Sequence, residues 1–430
     1  MRVGIIGSGG AGTATAWLIE GEHEVTVYER ASVPGGHART LEVERDGATH
    51  RVDDGFSWFS DVLYPAFMRL LEIHEIATRV IPMSLSVTKL PNRSTQVLPP
   101  TRIGTIARTV ANVPWLIDLL RFNRALDRAV PIVREGNRAL SVGAFIEENG
   151  YREPFASKVL RPMLSALWGS PYARIDDLAI YTMTKYLVFH RPSGFTNYPW
   201  HVVRDGAASY VAKVASRLRA EVRCNTNIVG LERDAQGWTV IDDRGERRSY
   251  DQVVFATGAK DAARVLADVP GVTPTAELLG QFEYYKARVA THGDRNFMPA
   301  SPRDWCVANM GWDGHKPELT LWSGLANKAP IFTTYLADRE PAQIDHFTTF
   351  NLPLPTADLC KKQAQLAERQ GQDQLWFAGD WTHDFGSHED AIQSAMRICR
   401  QLSPSSPRLA ELESPRLHPS GQPLPGPAQA

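Results

Sequence analysis

The chain opens on an apolar run, Arg2-Val3-Gly4-Ile5-Ile6, which predicts a short strand feeding Gly7-Ser8-Gly9-Gly10-Ala11-Gly12. A helix is predicted over 13–20, with Gly21 expected to close it in a left-handed conformation. Glu24-Val25-Thr26-Val27-Tyr28 predicts a second strand, ending at Glu29. Further along, Trp238-Thr239-Val240-Ile241, Asp243-Arg244-Gly245 and a strand through residues 251–255 predict a hairpin. Leu375-Trp376-Phe377-Ala378 predicts a buried strand. Between these lie two insertions of different character. Residues 61–196 read mainly as helix, for example 63–73 and 115–129, where Leu116, Leu119, Leu120 and Phe122 recur near helical spacing. That stripe predicts a core-facing helix, with a membrane-docking surface as the alternative. Residues 276–349 read mainly as strand, with 283–291 and 319–322 as candidates.

Strand, glycine turn, helix, strand and acid form a unit with a definite chemistry. Gly7 permits the tight turn, Gly9 lets a pyrophosphate approach the backbone, and Gly12 lets helix and strand pack closely. The helix start offers N–H groups and a positive dipole end to a diphosphate. Glu29 stands where a carboxylate accepts hydrogen bonds from a ribose 2′-OH. The turn residues Gly7, Ser8, Gly9, Gly10, Ala11 and Gly12, with Glu29 and Arg30, are therefore expected to bind a dinucleotide.

A second glycine pair follows in Gly35-Gly36-His37-Ala38-Arg39. Far downstream come Gly379-Asp380 and then Gly386-Ser387-His388-Glu389-Asp390-Ala391-Ile392. Together these motifs resemble the flavin-containing amine oxidase and phytoene desaturase superfamily. Val52-Asp53-Asp54-Gly55-Phe56, Val203-Arg204-Asp205-Gly206, Asn225-Thr226-Asn227-Ile228 and Ala256-Thr257-Gly258 resemble its intermediate segments. Pro162-Met163, Ala166-Leu167-Trp168, Thr291-His292 and Met298-Pro299 bring the chain nearest to a bacterial branch described only as predicted NAD/FAD-binding proteins. The resemblance covers roughly residues 1–400. It implies an α/β, two-domain, Rossmann-like FAD-binding fold of the three-layer ββα type, with an interleaved α+β substrate domain.

The resemblance also implies site residues. Gly35, Gly36, His37, Ala38 and Arg39 would lie beneath or beside the cofactor, with Gly55, Phe56 and Gly258 nearby and Ile228 at the adenine. Gly379 and Asp380 would meet the ribityl chain, while Glu389, Asp390, Ala391 and Ile392 would open a helix aimed at the pyrimidine end of the flavin. The cofactor domain would comprise residues 1–60, 197–275 and 350–402, the substrate domain 61–196 and 276–349, and a Ser- and Pro-rich tail, 403–430, would be disordered.

Net charge is −1 with 47 basic and 48 acidic residues, which gives no reason to expect nucleic acid as a partner. Cys224, Cys306, Cys360 and Cys399 are far apart, so no metal or redox pair is expected and reduced thiols in the cytoplasm are the simplest reading. The first strand follows Met1 almost at once, which leaves no room for a signal peptide, and no apolar run is long enough to span a membrane. The sequence leaves the oligomeric state open.

Three side chains are candidates for the chemistry: Lys286 on a strand expected above the flavin, His292 on the same strand face, and His388 before the flavin-facing helix. Each also has a plain reading, as a solvated lysine or a hydrogen-bonded structural histidine. The leading expectation is an oxidoreductase with non-covalent FAD that takes a hydride from a C–N or C–C site of a small, mostly apolar substrate. A desaturase or isomerase of a lipid, polyene or secondary metabolite is the first alternative. A non-catalytic binding protein, like the GDP dissociation inhibitors of this fold, is the second, although the intact glycine motifs argue against it.

Overall fold

The computed structural model of the chain describes residues 1–190, 199–234, 237–384 and 386–416. Its centre is a five-stranded parallel sheet. Across the sheet the strands are Glu221–Arg223, Glu24–Tyr28, Arg2–Ile6, Gln252–Phe255 and Leu375–Phe377. Alternation along these strands sends Val3, Ile5, Val25, Val27 and Val254 to one face and Ile6, Tyr28, Val253 and Phe255 to the other. The first face carries helices Gly10–Ile19, Ala207–Ser216 and His388–Leu402. The second carries a three-stranded antiparallel sheet, Ile228–Asp234, Gly237–Asp242 and Arg247–Tyr250. These are the three layers that the resemblance implies, but the expected hairpin is corrected: Gly237–Asp242 turns back into Arg247–Tyr250, and the strand through 251–255 lies instead in the central parallel sheet, between Arg2–Ile6 and Leu375–Phe377. Gly4 is needed because a Cβ there would lie 2.9 Å from the Tyr250 ring.

The second region, where the substrate domain is expected, is built on a seven-stranded sheet that includes Leu85–Lys89, Tyr284–His292, Pro317–Leu321 and His346–Pro353. The last strand continues four residues, 350–353, past the expected end of that segment at 349, because it pairs with Tyr284–His292 along its whole length. The expected boundary at 196/197 falls outside the described residues. Helices Val113–Arg134, Arg161–Trp168 and Ile180–Phe189 pack beneath the sheet through Phe122, Leu126, Leu164 and Met183. No helix among the described residues is long and apolar enough to cross a membrane.

Two local expectations are corrected. Gly21 is not left-handed; the helix ends at Glu20 with φ −65°, and Glu22 and His23 both donate to the Ile19 carbonyl. The tail is not wholly disordered, since Pro407–Glu413 is a helix of 7 residues that buries Leu409 and Leu412 in the core. Each such side chain contributes roughly 1.5–3 kcal/mol when removed from water, which outweighs the Ser- and Pro-rich composition. Arg408 to Glu20 and Arg416 to Asp61, each at 2.7 Å, tie this segment down; residues 417–430 lie outside the described region.

Candidate functional site

The glycine turn has the geometry its residue types require. Gly7 takes φ +105°, and a Cβ there would lie 2.6 Å from the Ala256 carbonyl. A Cβ at Gly12 would lie 1.9 Å from the Gly7 carbonyl, so helix and turn close on each other only with glycine. Gly9 caps helix Gly10–Ile19 with extended backbone, no side chain bonds to that cap, and no acid occupies the first turn. Glu29 receives the Ser8 amide at 3.0 Å, the Ser8 hydroxyl at 2.7 Å and the Ala31 amide at 2.8 Å. Thr226 donates its amide to the Glu29 carbonyl at 2.8 Å, which holds the segment leading to Ile228 beside the acid. Ile228 itself is buried in the core, and Arg30 stands exposed 3.9 Å from Asp261, outside the turn.

The second glycine pair comes back onto the first. Gly9 bridges to Gly35, and Gly36, at φ +60°, would place a Cβ 3.1 Å from the Gly9 Cα. Ala38 is buried, with its amide on the Gly35 carbonyl. Phe56 donates its amide to the His37 carbonyl at 3.0 Å, and a Cβ at Gly55 would lie 2.2 Å from that same oxygen. Arg39 reaches His346 at 3.0 Å and Asp54 at 3.4 Å, and Asp54 also accepts from Thr348 at 2.8 Å. Thus the loop after the glycine pair is fastened to the inner face of the substrate sheet.

The downstream segment joins the same place. Gly379, at φ +147°, leaves no room for a Cβ, which would sit 2.6 Å from the Trp381 indole nitrogen. Burial raises the Asp380 carboxyl, and His37 nearby works against that rise. Ser387 caps helix His388–Leu402, exchanging bonds with Asp390 at 2.8 and 3.2 Å. Burial, then the Asp384 charge, pushes Asp390 up to about 8, with Lys185 opposing. Ala391 and Ile392 pack into the core shared with the first helix. Glu389 is corrected to a structural role: it accepts the Ala66 and Phe67 amides at 3.2 and 2.9 Å and so caps helix Pro65–Ile73.

His388, expected at the edge of the flavin or the substrate, lies at this place, buried among aromatic rings. Its ring stacks on Phe56 at 3.7 Å and meets the edges of Phe67 and Tyr210 at 5.7 and 5.8 Å. Burial holds its pKa down to about 3, so the ring is neutral. A Cβ built on Gly10 would lie 3.7 Å from His388 Nε2 and 2.7 Å from the Tyr210 hydroxyl. Both of these buried polar atoms lack a hydrogen-bond partner. Tyr210 is absent from the sequence-derived set; its spacing with Ala207, Val211 and Val214 marks a core face, and nothing local sets its hydroxyl over the glycine turn.

The two strand candidates are also corrected. Lys286 and Arg288 alternate to the outer, exposed face of Tyr284–His292. The inner face carries Tyr285, Ala287 and Val289, opposite Leu352, Phe350 and Thr348. Phe350 meets the His37 ring edge-on at 5.4 Å, so this inner face looks toward the glycine pair. His292 lies eight residues from Tyr284, roughly 26 Å along the strand. Its Nδ1 accepts the Asp294 amide at 3.1 Å, which leaves the proton on Nε2 to donate to Thr334 at 2.8 Å. Burial lowers its pKa to about 4, and it is a satisfied core histidine. Aromatic side chains instead form a continuous wall: Phe56 approaches Tyr64, Tyr64 shares a hydrogen bond with Tyr186, and Tyr186 packs on Trp168 at 4.8 Å. Behind it Lys185 donates to Asp384 at 2.6 Å, as does Tyr181 at 3.2 Å.

The family described as flavin containing amine oxidoreductase matches residues 11–290. No curated protein matches the sequence. Among solved structures, a CLA-producing fatty acid isomerase from P. acnes superposes with a TM-score of 0.70 at 14% identity, over 93% of this chain and 98% of its own. Cyclohexylamine oxidase from Brevibacterium oxydans IH-35A gives 0.67 at 15% identity, covering 96% of this chain and 99% of that one. A mutant putrescine oxidase with redesigned cofactor binding gives 0.65 at 13% identity, over 94% and 99%. At these identities the superpositions speak for the fold, and the family match spans well over half the chain. The chain belongs to the flavin-containing amine oxidoreductase family and is a flavin-dependent oxidoreductase.

Proposed function

We propose that the protein binds FAD without a covalent link and uses it to take a hydride from a C–N or C–C site of a small, mostly apolar substrate. The observation that carries this reading is the contact of Gly9 with Gly36 beside an uncapped helix start, since a plain nicotinamide domain has no use for the second glycine pair. In this assignment the Gly7–Gly12 turn, its helix amides and the Tyr210 hydroxyl meet the diphosphate, and Glu29 meets the ribose. Gly379 and Asp380 meet the ribityl chain. The unsatisfied Tyr210 hydroxyl and His388 Nε2 fit a polar, anionic ligand over Gly10. Cys399 faces the Leu18 carbonyl in the core, which supports non-covalent binding.

When bound, the isoalloxazine supplies N5 as the hydride acceptor. The chain's own part is orientation and exclusion of water. The aromatic wall of Phe56, Tyr64, Tyr186 and Trp168 and the inner face bearing Tyr285 and Phe350 favour an apolar substrate. None of Lys286, His292 and His388 is assigned a proton transfer. The same wall suits desaturation or isomerisation of a lipid or polyene, in keeping with the fatty acid isomerase of like fold.

Mass spectrometry of denatured protein should release free FAD; a nicotinamide nucleotide alone, or flavin only as a peptide adduct, sinks the cofactor assignment. Anaerobic screening of amines, fatty acids and polyenes for flavin bleaching then separates C–N from C–C chemistry. Bleaching by none of the apolar compounds, but by a strongly polar one, overturns the substrate class.

A further inference from the structure

Six of the twelve large apolar side chains exposed among the described residues fall between positions 103 and 120: Ile103 (87% exposed), Ile106, Val110, Val113, Ile117 and Leu120. Spacings of three and four place the first three on one face of helix Ile103–Ala111 and the other three on one face of helix Val113–Arg134. These are not core positions left uncovered. The second helix has its own core face through Trp115, Phe122, Ala125 and Ala129, and the exposed stripe is additional. The expected core stripe is corrected here: of Leu116, Leu119, Leu120 and Phe122 only Phe122 is buried, and Leu120 stands in the exposed stripe. Only Asn112 separates the helices, and it caps the second by accepting the Trp115 amide at 3.2 Å.

The charge around this face is one-sided. Residues 101–138 hold seven arginines and no lysine, against Asp118, Asp127 and Glu135, in a chain whose net charge is −1. Arg121, Arg124 and Arg128 are exposed just beyond Leu120, and Arg124 continues the Val113, Ile117, Leu120 stripe by one turn. Arg108 is set apart by its two bonds to Asp304, at 2.8 and 2.6 Å. A second copy of the chain seated on this face would bring the same arginines together, which like-charge repulsion opposes. An anionic lipid surface meets both the apolar face and the cations.

We infer that the exposed face of these two helices docks the protein on an anionic lipid bilayer. The six apolar side chains sit at headgroup level and Arg121, Arg124 and Arg128 lie on the lipid phosphates. Trp115, in the first turn of the second helix, also lines a cavity of about 320 Å³ with Phe155, Met163, Met310 and Trp312. A ligand with an apolar tail leaving the bilayer would meet that cavity directly behind the docked helix.

The test is co-sedimentation of the full chain with vesicles of phosphatidylcholine alone or with phosphatidylglycerol added, with total protein read on a gel. The wild type is expected to pellet with the phosphatidylglycerol vesicles and to be released as salt rises. Val110→Asp, Val113→Asp and Leu120→Asp combined should lower partitioning about tenfold or more while keeping the wild-type Tm, because all three side chains are exposed. Arg121→Glu with Arg124→Glu leaves the apolar face intact and should weaken binding to the anionic vesicles only. Wild-type protein that stays in the supernatant, or variants that pellet as the wild type does, overturns the proposal. A dimer that dissociates in the triple variant, with no vesicle binding, assigns the face to a second copy and overturns it equally. These readings do not depend on the bound flavin, so they stand apart from the cofactor assignment.

Discussion

Two helices begin almost in contact, one at Gly10 and one at His388, and they begin in opposite ways. The Gly10 helix has no side-chain cap and no acid in its first turn, so its amides and positive end are left for an anionic ligand. The His388 helix satisfies itself: Ser387 takes the Asp390 amide, and Asp390 takes the Ser387 amide and hydroxyl. Glu389 and Asp390 sit in its first turn, yet burial raises both carboxyls, and Asp390 stays protonated up to about 8. A neutral Asp390 stabilises the start of the helix without cancelling its dipole. The difference shows how one space can be kept open for a full negative charge on one side and closed, but still polarising, on the other.

The comparison breaks most completely at the open helix. Gly12→Val forces side-chain atoms into the Gly7 carbonyl, and the purified variant should carry less than about a tenth of the wild-type flavin, measured by absorbance after denaturation. A variant with full flavin content would detach the turn from the cofactor. Glu29→Gln keeps the shape but weakens charge-assisted bonds by roughly 1.5–3 kcal/mol, so FAD affinity should drop about ten- to a hundredfold. Unchanged affinity in a folded Glu29→Gln protein would mean that the acid serves only Ser8 and Ala31.

At the closed helix the expected effect is on pH dependence. The native state holds a proton on Asp390 that the unfolded chain releases near its ordinary carboxyl range, so the native protein binds more protons between about 4 and 8. This contribution to stability is full below the unfolded pKa and is lost as pH rises toward 8. Asp390→Asn keeps an acceptor for Ser387 and should flatten that decline by a few kcal/mol in denaturant midpoints from pH 5 to 8. Parallel pH profiles for wild type and variant would show that Asp390 is ionised throughout. The smallest effect is expected at Lys286→Ala, which should leave turnover within about twofold because the side chain faces solvent. A large loss would return that lysine to the chemistry.

The cofactor half is legible in the sequence because its constraints fall on the backbone. Gly7, Gly12 and Gly36 announce positive φ or close approach by residue type alone, and Glu29 announces itself by distance from the turn. Side-chain roles are less legible, since they depend on what covers each face. Period-two alternation puts Lys286 and His292 on one strand face, but that face meets solvent at one end and Phe297 and Phe332 at the other. His388 sits beside the glycine turn as its motif implies, but its stack on Phe56 comes from across the fold and has no local signal. Tyr210 escapes a sequence reading for the same reason. Leu409 and Leu412 are hidden among serines and prolines, and only the groove beside the first helix gives them a partner.

The order of strands in the central sheet also governs when this protein can fold. Gln252–Phe255 lies between Arg2–Ile6 and Leu375–Phe377, and the helix at residues 388–402 covers the first helix. A nascent chain therefore carries its glycine turn for more than three hundred residues of synthesis before the last strand and covering helix emerge. Contacts of such long range are slow to form and leave apolar strand surface open meanwhile. The ribosome must finish nearly the whole polypeptide before the first forty residues have their permanent neighbours.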